Sequence, residues 1–391
     1  MTKPKHTLRI LWSSNGINCS SGYATQSKMI VERMKKEGFE VKTQAFFGLM
    51  GGKATFDGID VYPRINSPWG EDGLVIYGKE MQADVVFTFQ DVWPLDPNLM
   101  KQVKYWIPYT PIDGLPLSPA IKSKLGFASE IISISKFGKT TLQDNGFSST
   151  YIPCAVDTKV MYKRDKKKAR EMFKLPQDKF IFGVVAANKD NPSRKSYQEI
   201  IDAFAQFSQN HDDAILFVHS NLIDSRGGFP IKDYCAMKGV LSKVFMLDDY
   251  TMQFKLDREA LANLYSCFDI LLNPASSEGF GVTIIEAQAC GVPVIVNNCQ
   301  SMPELCGSGE VCEVGFKRWG GVGQYFEQPN IQSLLSKMNA LYKRVKKDDK
   351  GKISRDAVEF AKKYDIDLLW ETKWLPYLLK LEARVKQSYA R

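Results

Sequence analysis

Histidine is scarce in this chain, with 3 in 391 residues. There is no His-Glu-x-x-His and no Cys/His pairing at zinc-ligand spacing, so a dedicated transition-metal site is not expected. The cysteines, Cys19, Cys154, Cys235, Cys267, Cys290, Cys299, Cys306 and Cys312, contain no Cys-x-x-Cys pair and do not resemble a small secreted disulfide framework. Buried or idle thiols in a cytoplasmic chain are the expectation. No stretch reaches the ~18 uncharged apolar residues of a membrane helix. The start, Met1-Thr2-Lys3-Pro4-Lys5-His6, leads into a strand-like run without a signal-peptide core. Short-period repeats and low-complexity tracts are also missing, which excludes solenoid and linker-rich architectures.

What is present is ordinary globular composition, 44% hydrophobic and 25% charged, in a chain long enough for two domains of ~150 residues. The net charge of +8 favours anionic partners such as nucleotides, nucleic acid or acidic lipid surfaces without choosing among them. Two basic runs, Lys163 to Arg170 and Lys343 to Lys347, read as solvated faces or linkers.

Apolar runs alternate with helical stretches at Leu8 to Trp12, Asp84 to Phe89, Tyr105 to Tyr109 and Ile131 to Ser135. After the Pro153 to Arg170 region the alternation begins again, at Phe180 to Val185, Ala214 to Val218, Val244 to Leu247, Asp269 to Leu272 and Pro293 to Val296. Such alternation predicts β-α-β units on parallel sheets, hence two α/β domains. The tail from about Ser354 has helix formers and aromatics but no strand pattern. In open α/β sheets, ligands bind beyond the carboxyl ends of the strands, so two facing domains would hold one in the cleft between them.

The most informative segment runs from Asn273 to Ile295. A buried strand ending at Leu272 is followed by a loop bearing Gly279 and Gly281, a helix from near Gly281 to Gly291, and Pro293 opening the next strand. A helix N-terminus flanked by glycines is an anion site, because unpaired N–H groups and the positive dipole end favour phosphate. Glu278 in the loop and Glu286 in the second helical turn can face that pocket, and a carboxylate accepts from two sugar hydroxyls.

Glu278-Gly279-Phe280-Gly281 through Glu286-Ala287, followed by Ala289 to Ile295, resembles the Glu-x7-Glu motif of family-4 retaining glycosyltransferases of GT-B fold. Tyr265 to Asp269, Met302 to Leu305 and Ile152 to Asp157 extend the resemblance. It implies an α/β chain of two Rossmann-like domains facing each other across a cleft: residues 1–160 binding the acceptor, 161–370 binding a nucleotide sugar, and a helix over 371–391 crossing back to the first domain. It further implies that Glu286 holds the ribose, that Glu278 holds a donor-sugar hydroxyl, and that the backbone of Gly279, Phe280, Gly281, Val282 and Thr283 meets sugar and diphosphate. The basic pair of the family falls on Arg194 and Lys195, within the loop that opens at Asn188, and would neutralise the diphosphate without a metal. Gly22, then Gly16, matches the phosphate-closing loop.

The chain lacks the acceptor-side histidine of many family members. Asp113, with Asp91 second, is the candidate to orient or deprotonate the acceptor hydroxyl, while a turn-forming Asp before Gly114 is the bland reading. His219 and Tyr250 are candidates to border the nucleotide and its base. The expected enzyme is a nucleotide-sugar-dependent glycosyltransferase of hexosyltransferase type, with no cofactor beyond that co-substrate. The acceptor stays open: a glycan, a lipid-linked sugar reached by peripheral membrane contact, a protein, or a modified base in DNA stacked on Trp93, Tyr105, Trp106 or Tyr109. A nucleotide-sugar epimerase and a non-catalytic binding module are the rivals of other classes.

Overall fold

The computed structural model describes residues 6–220, 227–248, 250–251 and 256–389. The chain forms two compact units, one made of Met1–Ala155, Gly321–Gln324 and Ile366–Arg391, the other of Val156–Gly320 and Tyr325–Asp365. The breaks at Ala155/Val156 and Asp365/Ile366 compare with 160 and 370 expected from the sequence.

The first unit is built on eight strands, β1 (Arg9–Asn15), β2 (Glu40–Phe47), β3 (Ala54–Phe56), β4 (Ile59–Pro63), β5 (Val85–Thr88), β6 (Trp106–Thr110), β7 (Ile132–Ser133) and β8 (Thr150–Tyr151). They lie in the order β3-β4-β2-β1-β5-β6-β7-β8, parallel except for the β3–β4 hairpin. That hairpin turns at Asp57-Gly58, both with positive φ, as a two-residue loop matching the strand twist requires. The helix Gly22–Glu37 starts where the Ser21 hydroxyl accepts from the Ala24 N–H, and stops at Gly38 in the left-handed region. Strand order reverses at β1, between β2 and β5, which places Gly16 and the Phe89 to Asp91 segment at the switch point.

The tail belongs to this unit through specific contacts. Trp374, 1% exposed, meets Trp12, Phe87 and Tyr109 edge-on. Glu382 accepts from the Thr7 N–H at 2.7 Å and lies 2.9 Å from His6 Nδ1. Burial alone would raise its carboxyl, but the bonds from Thr7 and His6 hold it at about 2.

The second unit carries β9 (Phe180–Val185), β10 (Ala214–His219), β11 (Val244–Met246), β12 (Ile270–Asn273), β13 (Val294–Asn297) and β14 (Gly309–Cys312), all parallel, in the order β11-β10-β9-β12-β13-β14. Every residue of β9 is buried, as a strand covered on both faces demands. Gly183 is needed there, since a Cβ would lie 2.2 Å from the Phe268 ring. An antiparallel hairpin, β15 (Val314–Trp319) with β16 (Tyr325–Pro329), stands apart from the main sheet. Here the order reverses between β9 and β12, so the loops after these two strands lie together at the carboxyl edge.

All eight cysteines are free and six are buried. Among the described residues no helix is long and apolar enough to cross a membrane. One basic run departs from its expected solvation: Arg170 is 4% exposed, its guanidinium donating to Cys267, Gln177 and Lys179 carbonyls and to Asp269. Its stem packs inward because those acceptors converge on one point.

Candidate functional site

The loop from β9 to the helix Tyr197–Phe207 carries Asn188, Arg194 and Lys195. Its shape is set by side chains bonding to backbone. Asn188 Nδ2 donates to Phe229 O at 2.8 Å and Asn188 Oδ1 accepts from Phe229 N at 2.7 Å, which anchors the loop entrance. Asp190 Oδ2 accepts from the Arg194 N–H at 2.9 Å. The Arg194 carbonyl in turn accepts from both Ser276 N (2.8 Å) and Ser276 Oγ (3.1 Å), stitching this loop to the one after β12.

Around that seam the charges gather. Arg194 Nη1 donates to Ser277 O at 2.5 Å and lies 3.6 Å from Glu278 Oε2. Lys195 Nζ bonds the other carboxylate oxygen of Glu278. Glu278 is only 8% exposed. Burial would raise its carboxyl, but Lys195 and Arg194 outweigh that and hold it below the ordinary range, so it is ionised. Burial first, and then the Arg194 charge, lower the Lys195 amine. Two cations thus share one buried carboxylate, with the Asp190 carboxylate close by on the Arg194 N–H.

The second loop is braced from below. Ser301 Oγ donates to the carbonyls of Glu278 (2.9 Å) and Phe280 (2.8 Å), and Asn297 Nδ2 donates to Ala275 O at 3.1 Å. Gly281, at φ 101°, is the residue before the helix Val282–Ala289, whose N-terminus has no side-chain cap. A Cβ there would lie 2.7 Å from Ile284 Cδ1, so both the torsion and the space call for glycine. The uncapped N-terminus thus points its N–H groups and dipole out beside Glu278. Thr283 Oγ1 accepts from Asn273 Nδ2 at 3.0 Å, while Phe280 is buried against Tyr364. Phe280 can therefore offer a ligand mainly backbone.

Glu286, 3% exposed on the same helix, has its own partners: Arg258 Nη2 at 2.8 Å and the Tyr265 hydroxyl at 2.9 Å. Burial and Glu286 together raise the Tyr265 phenol well above its usual range. The two glutamates are thus held by separate cation sets within one unit. Sequence reading missed Arg258, Ser301, Asn297 and Asp190 as supports. Arg258 follows a helix cap, Asp257, as any surface arginine might, and only folding brings it to Glu286.

His219 ends β10 half-buried, with Nδ1 unpartnered among the described residues, and burial lowers it to about 4. At neutral pH it is a neutral imidazole. Tyr250 is 61% exposed, and of its neighbours Asp249 and residues 252–255 lie outside the described residues.

In the first unit Gly16 donates its N–H to Phe47 O at 2.8 Å just after β1, and Gly22 opens the first helix with nothing within 4 Å of where a Cβ would stand. Asp91 follows β5, its Oδ2 3.4 Å from the Tyr23 hydroxyl. Asp113 follows β6, and its Oδ1 accepts from Gln324 Nε2 at 2.7 Å. The aromatic set expected to stack a base is corrected here. Trp106 and Tyr109 are fully buried in β6 and the Tyr105 hydroxyl is bonded to Glu130, because the strand is covered on both faces; Trp93, 38% exposed, is the member left at the surface.

Residues 165–354 match the family described as glycosyl transferases group 1. N-acetyl-alpha-D-glucosaminyl L-malate synthase of Bacillus anthracis is 25% identical over 223 residues, a match spanning 51% of this chain and about half, 54%, of that relative. Among solved structures, sucrose-phosphate synthase from Thermosynechococcus elongatus superposes with a TM-score of 0.77 at 15% identity, covering 96% of this chain and all of the other. Anabaena HepE in complex with UDP-glucose gives a TM-score of 0.66 at 15% identity over 98% of this chain and 100% of that one. The fold, two Rossmann-like sheets, is that of the GT-B glycosyltransferase structures.

Proposed function

We propose that this chain, which carries a group 1 glycosyl transferase domain over residues 165–354, is a retaining glycosyltransferase that moves a hexose from a nucleotide-diphosphate sugar to an acceptor hydroxyl. The observation that carries the reading is the buried charge set Arg194, Lys195 and Glu278 beside an uncapped helix N-terminus. The UDP-glucose held by the Anabaena neighbour of the same fold supports a donor of that class.

Without a ligand, Glu278 is paired with both cations. An incoming diphosphate takes over Arg194 and Lys195, with the backbone of Gly279 to Thr283 as further donors, and releases Glu278 to accept from a sugar hydroxyl. Glu286, oriented by Arg258 and Tyr265, receives the ribose hydroxyls. As the bond from the anomeric carbon to the diphosphate breaks, negative charge grows on the leaving group, and two fixed cations stabilise it more than they stabilise the substrate. These cations take the part a metal ion would otherwise play. The acceptor oxygen attacks on the face the diphosphate leaves, and its proton passes to the departing phosphate oxygen. Asp113, with Asp91 second, is the proposed acceptor-side group. The acceptor class is a glycan, a lipid or a protein, and the free thiols fit a cytoplasmic chain.

Thermal-shift titration with UDP, GDP, ADP and their hexose conjugates, followed by acceptor-free hydrolysis of any hit, tests the reading. The expected result is selective stabilisation by one nucleotide sugar, growing with concentration and lost in Glu286→Ala and Arg194→Ala. No stabilisation of a well-folded protein by any of them would overturn it.

A further inference from the structure

A groove of about 870 Å³ in the second unit is separate from the charge set described above. Its size lies within the ~300–1,000 Å³ typical of ligand sites. One wall is the helix Tyr197–Phe207, contributing Gln198, Glu199, Asp202 and Gln206. The opposite wall is one face of the β15–β16 hairpin. Cross-strand pairing sets Phe316 opposite Gln328 and Arg318 opposite Phe326, and the two-residue period puts Phe316 and Arg318 on the same side.

The chemistry of this lining is specific. Its two acids, Glu199 and Asp202, are matched by two bases, Lys238 and Arg318, and Lys238 is already paired with Asp202 at 2.7 Å. A polyanion gains little here. Glutamines supply most of the remaining polar groups, and Gln332 reaches across to Gln206 at 3.2 Å. Each amide both donates and accepts, as a hydroxyl does. Arg318 Nε is buried and has no hydrogen-bond partner among the described residues. Burial also raises the Glu199 carboxyl. Of the lining residues only Phe316, 59% exposed, is a large exposed apolar side chain, so an amphipathic helix would find no stripe to fill.

We propose that this groove binds an uncharged oligosaccharide, one ring stacked on Phe316 and its hydroxyls bonded to the glutamine amides, Glu199 and Arg318. The site is distinct from the donor site, although Pro192 and Ser193 at its edge belong to the loop that carries Arg194. A transferase with such a groove would hold a carbohydrate chain while adding to it.

The test is binding of the labelled full chain to a printed array of neutral, sulfated and phosphorylated oligosaccharides, with Phe316→Ala and Gln206→Ala alongside the parent. Both residues are surface-accessible on regular elements, and nucleotide-induced thermal shifts report whether each variant keeps its fold. The expected result is binding to neutral glycans, weakened at least tenfold in both variants with the nucleotide response unchanged. Binding confined to anionic glycans and abolished by salt, binding untouched by either substitution, or no binding at all would overturn the proposal. A chain that binds neutral glycans through Phe316 but no nucleotide would refute the transferase reading and leave this one standing.

Discussion

The two parallel sheets end differently at their carboxyl edges. In the second unit that edge buries charge: Glu278 and Glu286 are 8% and 3% exposed, each against cations from another segment. In the first unit the corresponding strand ends bury mainly neutral polar groups, Ser13, Ser14, Thr88, Gln90 and Thr110, all at or below 1% exposure, with the buried Glu71 accepting from the Asp96 N–H. A buried hydroxyl can be satisfied by a nearby carbonyl, as Ser14 is by Phe89 O at 2.9 Å, whereas Ser13 Oγ, Gln44 Oε1 and Gln90 Oε1 have no hydrogen-bond partner among the described residues. A buried charge needs a partner and bracing for that partner, so it comes as a set. The contrast teaches that one edge organises buried charge and the other mainly buried neutral polarity.

The sharpest way to break this contrast is Glu278→Ala. It strands Lys195 and Arg194, and should cost about 3 kcal/mol in urea unfolding and lower donor turnover ~100-fold or more. If neither changes, the charged edge is no more demanding than the neutral one. Next in size is Gly281→Ala, which forces a Cβ at φ 101° toward Ile284 and should lose about 1–3 kcal/mol by the same unfolding assay.

The pH response sharpens the comparison further. Lys195 loses its proton below the ordinary lysine range, since burial and Arg194 both disfavour its charged form. Diphosphate favours the charged form, so binding in the alkaline range should take up a proton, and affinity should fall as pH rises through the lowered value. Lys195→Arg, which stays charged, should remove that limb. Calorimetry in buffers of different ionisation enthalpy reads both effects, and an unchanged alkaline limb in the variant would assign it to another group. The smallest effect is expected at the neutral edge: Thr110→Val removes a hydroxyl shared between Pro111 O and Gln90 O and should cost about 1 kcal/mol or less without altering nucleotide affinity.

How much was legible follows the same division. The strand, glycine loop and helix from Ile270 to Ala289 stand where the pattern of apolar run, Gly279, Gly281 and Gly291 puts them, because charge and glycine interrupt an otherwise buried stretch. Strand β2 was not legible. Its centre holds Thr43 and Gln44, which read as exposed, yet they are 3% and 1% accessible because backbone acceptors from Asp60 and Gly70 reach them. The Asp57-Gly58 turn was a signal left unused, flanked by strands too short to show a period. Arg170 was hidden by its neighbours: within a run of lysines nothing marks the one side chain whose acceptors lie inside.

By itself the sequence determined the alternation that makes two parallel sheets, the glycine-flanked helix start, and the two glutamates spaced along it. Those are local matters of periodicity, torsion and capping. Which partners answer each glutamate was decided only by tertiary structure: the cations Lys195 and Arg194 for Glu278, the cation Arg258 and the Tyr265 hydroxyl for Glu286. The same holds for the groove between the Tyr197–Phe207 helix and the hairpin. Ion pairs and cavities depend on distances between segments far apart in the chain, and those distances exist only once the sheet order has brought the strand ends together.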